Sequence, residues 1–220
     1  MNFLRAVSEE QKSERRQKIL DSALSIFEQS GFKSTNMAEI AQKSGIAKGS
    51  VFLYFKTKEE LFMHLLGQEL GKWNNAYDEA LNMIEDKSLG SKELMQLFVD
   101  TLMQNTVLIR LVALVNTIFG QNVSHEQVVT FKKEFLNRIR RTGDLLDRKV
   151  RFFSNGTGVE FYMHCYVLVT GLSNLSDPVP AIKDVVKTPD YAILNVNLKA
   201  YLTRMLKLLL TGLENVNNQY

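Results

Sequence analysis

Between Lys33 and Lys58 the chain carries five cations, Lys33, Lys43, Lys48, Lys56 and Lys58, against one acid, Glu39, a local charge of +4. Just upstream lie Lys12, Arg15, Arg16 and Lys18. The net charge of +3 over 220 residues hides this concentration. Clustered lysine and arginine can neutralise phosphates, and clustering on one face is the electrostatic sign of nucleic-acid binding. Backbone amides at helix starts can face the same anions. An ordinary solvated basic face has the same composition, so the decision falls to the elements that carry these residues.

No catalytic constellation accompanies the cations. The sequence lacks G-x-S-x-G, H-E-x-x-H, a Walker glycine-lysine loop and a G-x-G-x-x-G after a strand. Gly45-Ile46-Ala47-Lys48-Gly49-Ser50 has the wrong glycine spacing for a phosphate loop and no strand before it. The sole cysteine, Cys165, follows His164, but successive residues on a helix point about 100° apart, so the pair makes no nucleophile and base. His64, His125 and His164 are scattered and give no zinc-ligand spacing. No enzyme, cofactor or metal is expected. A single cysteine also excludes an internal disulfide framework and suits a reducing compartment.

The remaining composition bounds the class. With 45% apolar and 23% charged residues the chain can form a packed core. Its start, MNFLRAVSEEQKSERR, lacks the apolar core of a secretory signal. Phe161 to Leu172 is too short to span a bilayer, and Val107 to Phe119 is interrupted by Arg110 and Asn116. A soluble cytoplasmic protein without a membrane partner is expected.

Helices must position the basic residues. All three prolines, Pro178, Pro180 and Pro189, fall in one short stretch, and no segment alternates as a half-buried strand would. Ser8 with Gln11, Thr57 with Glu60 and Ser124 with Gln127 read as capping boxes. Thr188-Pro189 reads as the start of a final helix near 190–213. Two short helices, about 37–44 and 47–54, flank Ser44-Gly45-Ile46 and describe a helix-turn-helix. Ile40, Ala41, Ile46, Val51 and Phe55 form its expected core, leaving Lys48, Gly49, Ser50, Phe52 and Tyr54 on or beside the outer face.

The stretch Gly31-Phe32-Lys33-Ser34-Thr35-Asn36-Met37-Ala38-Glu39-Ile40-Ala41, with Ser44-Gly45-Ile46-Ala47-Lys48-Gly49-Ser50-Val51-Phe52-Leu53-Tyr54-Phe55-Lys56-Thr57-Lys58-Glu59-Glu60-Leu61, resembles the DNA-binding domain of the tetracycline-repressor family of bacterial transcriptional regulators. The likeness runs over roughly residues 12–65. It implies an all-α homodimer with about nine helices: a three-helix helix-turn-helix head over 1–56, and a helical ligand-binding and dimerisation body over 57–220. It implies a phosphate contact from Thr35, major-groove contacts from Lys48, Gly49 and Ser50, backbone contacts from Phe52 and Tyr54, and a further contact from Lys58. Ala47 replaces the usual serine or threonine, losing a cap, and Phe52 replaces a common tyrosine, losing its hydroxyl.

The resemblance further implies a repressor that binds a palindromic operator as a dimer and is released by a small apolar or amphipathic effector. Two recognition helices about 34–36 Å apart meet successive major grooves, which explains the dimer. Helices near 158–174 and 190–213 are the dimerisation candidates, through Phe161, Cys165, Leu168, Leu198, Tyr201, Leu202 and Met205. Candidate effector contacts are Phe98, Arg110, Asn116, Phe119, Phe131, Phe135 and His164, although the apolar ones suit a core equally. A second basic run, Lys132 to Arg151, reads as the solvated face of a long helix. Two alternatives stay open: a helical small-molecule-binding protein with degenerate DNA recognition, and an activator of the same family.

Overall fold

The computed structural model describes residues 2–120, 122–178 and 180–217. Over these residues the chain forms eleven α-helices and one 3₁₀ helix, and its only β-type pairing is an isolated bridge between Leu89 and Val150. The surplus over the expected nine helices comes from the short α6 (Thr106–Val112), α7 (Val115–Gly120) and α10 (Pro180–Val185). The helices gather into two compact units, Met1–Gly67 with Thr117–Val128, and Gln68–Asn116 with Val129–Tyr220.

In the first unit, α1 (Asn2–Ser34) buries Ile19, Leu20, Ala23, Ile26 and Phe27 as one apolar seam. Because α1 already runs from Asn2, Ser8 and Gln11 lie inside the helix and do not open it. Gly31, at φ 77°, breaks the helical path in a region that favours glycine. Asn36 caps α2 (Met37–Ser44), its side-chain oxygen accepting from the Ala38 and Glu39 amides, and Gly45 ends it in the left-handed conformation. α3 (Lys48–Tyr54) follows with no side-chain cap at Ala47. Val51 and Phe55 anchor it, both fully buried.

α4 (Lys58–Asn82) opens on the Thr57–Glu60 pair. The Thr57 hydroxyl accepts from the Glu60 amide at 3.0 Å, while the Glu60 carboxylate reaches back to the Lys56 amide at 2.7 Å. Ser124 and Gln127 cap α8 (His125–Lys149) reciprocally.

The second unit is built on an aromatic core. Trp73 and Tyr77 stack with centroids 5.5 Å apart, and Phe98 of α5 (Ser91–Met103) meets both edge-on. Beside it runs a buried polar chain. The Tyr162 hydroxyl donates to Asn74 Oδ1 at 2.8 Å, the Asn74 amide donates to Thr142, and the Thr142 hydroxyl donates to Asp78 at 2.7 Å. Arg141 closes the chain on Asp78 at 2.8 Å.

α8 and α9 (Thr157–Ser176) cross through Gly143 and Gly158. A Cβ at Gly158 would overlap the Gly143 carbonyl oxygen, and a Cβ at Gly143 would sit 2.8 Å from the Val159 amide nitrogen. Asp147 fixes the turn between these helices by accepting from the Gly156 and Gly158 amides at 2.7 and 2.6 Å.

The expected final helix is split. Pro189–Leu194 is a 3₁₀ helix, and α11 runs Leu198–Asn217. The break follows from capping, because the Asn197 side chain accepts from the Ala200 amide at 2.9 Å and restarts the helix there. Thr188 points backward, its hydroxyl donating to the Val185 carbonyl. Among the described residues no helix is long and apolar enough to cross a membrane.

Candidate nucleic-acid interface

The outward side of α3 is set by its two anchors. With Val51 and Phe55 inward, the rest of α3 carries its outward surface: Lys48 and Gly49 are exposed, Phe52 is 40% exposed and Leu53 84%. Ser50 and Tyr54 are half-buried at the edges. An apolar side chain left this open at the end of α3 suits contact with thymine methyls or sugars. Leu53 was not among the expected contacts. Its signal lay in its position, two residues from each anchor and so on the far side of the helix.

Thr35 and Lys58 stand apart from this face. Thr35 is only 1% exposed, and its hydroxyl donates to the Gly31 carbonyl at 2.8 Å. Its side chain is therefore turned into the unit. Lys58 donates to the Phe32 and Thr35 carbonyls at 2.9 and 3.0 Å and lies 4.2 Å from the Phe32 ring centroid. It ties the turn after Gly31 to the start of α4.

A second tie joins α1 to α4. Arg16 Nη2 lies 3.0 Å from His64 Nε2, and its guanidinium stands 5.0 Å over the Phe55 ring. Burial, and then the Arg16 charge, lower the His64 pKa to about 4, so the ring is neutral at pH 7 and accepts from Arg16.

The expected effector contacts are scattered. Phe98 is buried in the aromatic core, and Phe131 and Phe135 stack with centroids 6.4 Å apart, Phe135 also meeting Tyr166. Arg110 is half-buried, whereas Asn116 and His164 are exposed, and Phe119 belongs to the 117–128 stretch of the first unit. The polar atoms that do lie inside the second unit are ones the sequence reading passed over. Among the described residues, Trp73 Nε1, the Tyr77 hydroxyl and Arg138 Nη1 are buried without a hydrogen-bond partner. The acid nearest Arg138, Glu134, stands 3.7 Å away and is largely exposed.

The dimerisation candidates also divide. Phe161, Cys165 and Leu202 are fully buried within the unit, because α9 and α11 pack on each other and α11 packs on α5. Leu168 and Leu198 are half-buried, and Tyr201 and Met205 are exposed. The large exposed apolar residues of these helices are Met163, Val167 and Leu175 on α9 and Tyr201, Met205, Leu208 and Val216 on α11. Burial pushes the Cys165 thiol and the Tyr77 and Tyr162 hydroxyls well above their ordinary pKa values, so none ionises near neutrality.

Comparison with known proteins agrees with this architecture. Residues 19–65 match the family described as "Bacterial regulatory proteins, tetR family", and residues 67–217 match "Tetracyclin repressor-like, C-terminal domain". The uncharacterized HTH-type transcriptional regulator YfiR of Bacillus subtilis is 37% identical over 60 residues, 27% of this chain. The match spans only 29% of that relative's length.

Among solved structures, the transcriptional regulator FadR from Bacillus subtilis in complex with stearoyl-CoA aligns with a TM-score of 0.54 at 18% identity, covering 89% of this chain and 98% of that one. The multidrug binding protein EbrR complexed with imidazole aligns equally well, at 17% identity over 89% of this chain and 94% of its own. At these identities the likeness is one of fold. The matched families are regulators, not enzymes. With its head and its larger helical portion both matched, the chain belongs to the tetR family of bacterial regulatory proteins.

Proposed function

We propose that this protein is a dimeric DNA-binding transcriptional regulator of the bacterial cytoplasm. In this reading residues 1–56 read DNA, and residues 57–220 dimerise and bind an effector. The observation that carries it is the outward face of α3, where Lys48, Gly49, Phe52 and Leu53 are exposed over the buried anchors Val51 and Phe55. Ser50 and Tyr54 border that face and complete the contact set. Thr35 and Lys58 act by shaping the turn beneath it.

Two copies present two such faces to a palindromic operator. The exposed Met163, Val167 and Leu175 with Tyr201, Met205 and Leu208 supply the apolar surface that the second copy covers. Regulation is repression, relieved when a small amphipathic effector enters the body. Phe98, Phe131 and Phe135 offer apolar contacts, while Trp73, Tyr77 and Arg138 offer interior donors for its polar end. Two neighbours of this fold, FadR with stearoyl-CoA and the multidrug binding protein EbrR with imidazole, were solved with small molecules bound, which supports the reading.

Selection from random duplex DNA with the purified protein tests the reading. A palindrome with half-sites about one helical turn apart is expected. Folded, dimeric protein that enriches no sequence would favour a small-molecule-binding protein with degenerate DNA recognition. The operator's position relative to its promoter then separates repressor from activator.

A further inference from the structure

Asn75, Asp78, Glu79 and Asn82 of α4 and Arg141 and Arg148 of α8 line an open cleft of about 280 Å³. Helical spacing puts 75, 78, 79 and 82 on one side of α4, and 141 and 148, two turns apart, on one side of α8. Only Leu145 adds an apolar wall, so the cleft does not suit the amphipathic effector proposed for the interior. Arg141 is already oriented. Its Nε donates to Asp78 at 2.8 Å and its Nη2 to Asn75 at 3.1 Å, while the largely buried Asp78 is held again by the Thr142 hydroxyl. A guanidinium carries five N–H donors, so donors remain beyond these two bonds. Glu79 and Arg148 are the unpaired charges. Among the described residues neither side chain has an ion-pair or hydrogen-bond partner, although both line the same cleft. Arg148 acts on Asp86 through its charge, but Asp86 is bonded to Lys149 at 2.8 Å.

We propose that this cleft binds a small zwitterion of the α-amino-acid class, its carboxylate on Arg141 and Arg148 and its ammonium on Glu79. Asp78 cancels Arg141 and Glu79 cancels Arg148, so the lining is neutral in sum while its charges stand apart. A ligand with one charge of each sign completes both unpaired groups at once. A phosphate would leave Glu79 facing an anion, and a metal cation would face two guanidiniums. The planar fork of arginine matches a carboxylate, and Arg141 is fixed before the ligand arrives, so little ordering is lost there. The Asn75 and Asn82 carboxamides remain for polar groups of the ligand's own side chain. The volume falls just below the roughly 300–1,000 Å³ of sites for drug-sized molecules, which favours a ligand of this size. The cleft lies wholly within the second unit, and its occupancy does not depend on whether the head reads DNA.

The purified protein is titrated calorimetrically with the standard amino acids, each singly, and with propionate and ethylammonium as probes that carry one charge only. Arg148→Ala and Glu79→Gln each remove one charge from the cleft, and Lys133→Ala, on an exposed position of α8 outside it, is the control. Saturable binding of at least one amino acid is expected. Arg148→Ala and Glu79→Gln should each weaken it about tenfold or more, the loss of one charge-assisted contact. Propionate and ethylammonium, which each forgo one such contact, should bind weaker by about the same factor. Lys133→Ala binds as wild type. All three variants change exposed side chains, so circular dichroism and melting temperature should match wild type.

The proposal is overturned if no amino acid binds, or if either cleft variant binds as wild type. It is equally overturned if propionate matches the best amino acid, which would make the cleft an anion site. Loss of binding in Lys133→Ala as large as in Arg148→Ala would also overturn it, since net charge then explains both. None of these outcomes bears on DNA binding, which the selection from random duplexes tests separately.

Discussion

Arg16 and His64, 48 positions apart, are held at 3.0 Å with the imidazole kept neutral. The ring's pKa is lowered from 6.5 to about 4, so between these values the unfolded chain binds a proton that the folded head excludes. Stability from this site is present above pH 6.5 and is lost as pH falls toward 4. The melting temperature of wild type is expected to drop between pH 7 and 5. His64→Gln, which still accepts from Arg16 but does not titrate, should show a shallower drop. Parallel curves for the two proteins would remove His64 from the explanation.

Lys58 and Thr35 are expected to matter for folding before DNA. Lys58→Met leaves the Phe32 and Thr35 carbonyls without their charged donor. A loss of about 1.5–3 kcal/mol in urea unfolding should follow. Lys48→Ala, on an exposed residue, should leave the urea midpoint unchanged. Equal stability of Lys58→Met and wild type would return Lys58 to the role of a free cation.

On DNA the order reverses. Lys48→Ala and Tyr54→Ala should each weaken operator binding by about 1–3 kcal/mol, or roughly ten- to a hundredfold, with unchanged circular dichroism. Unaltered affinity in both variants would misplace the recognition helix.

For the dimer, Val167→Asp and Leu208→Asp introduce a charge at positions 61% and 65% exposed in the protomer. Both are expected to yield folded monomers by sedimentation. Cys165→Ala, inside the unit, should keep the dimer and lower its melting temperature, since it deletes a buried sulfur.

The Asn74 chain gives a separate stability prediction. Tyr162→Phe removes the donor to Asn74 Oδ1 and strands a buried oxygen. It should cost about 1–3 kcal/mol, more than the loss of an exposed hydroxyl. Asn74→Leu combined with Tyr162→Phe removes the stranded oxygen but also the Asn74 donor to Thr142, so the two losses should not add independently.

The helix-turn-helix was legible because its boundaries are written in local chemistry. Asn36 and Gly45 each act within a few residues, and α2 and α3 fall at Met37–Ser44 and Lys48–Tyr54, within a residue of expectation. The Thr57 and Ser124 boxes are local in the same sense. Ser8 misled because a capping pattern inside an uninterrupted helix looks the same as one at its start. The body was less legible because its decisive contacts are long-range. Nothing near Asn74 announces that Tyr162 and Thr142 will satisfy it. Phe161 and Val167 are both apolar on one helix, and only the packing of α9 on its neighbours, with Phe98 and Phe153 against Phe161, separates the inward one from the outward one. Thr35 illustrates the same limit inside the head, where the carbonyl freed at Gly31 captures its hydroxyl.

The Gly143–Gly158 crossing leaves α8 and α9 no clearance for a single added carbon. Such a joint cannot slide, and even alanine at either glycine would force the backbones apart. The pair therefore behaves as one rigid lever. An effector lodged among Trp73, Tyr77 and Arg138 would have to swing that lever as a whole, and the exposed Met163 and Val167, proposed above to meet a second copy, would travel with it. If an effector binds as proposed, substitutions that loosen this clamp at Gly143 or Gly158 would alter the response from outside the ligand's contacts.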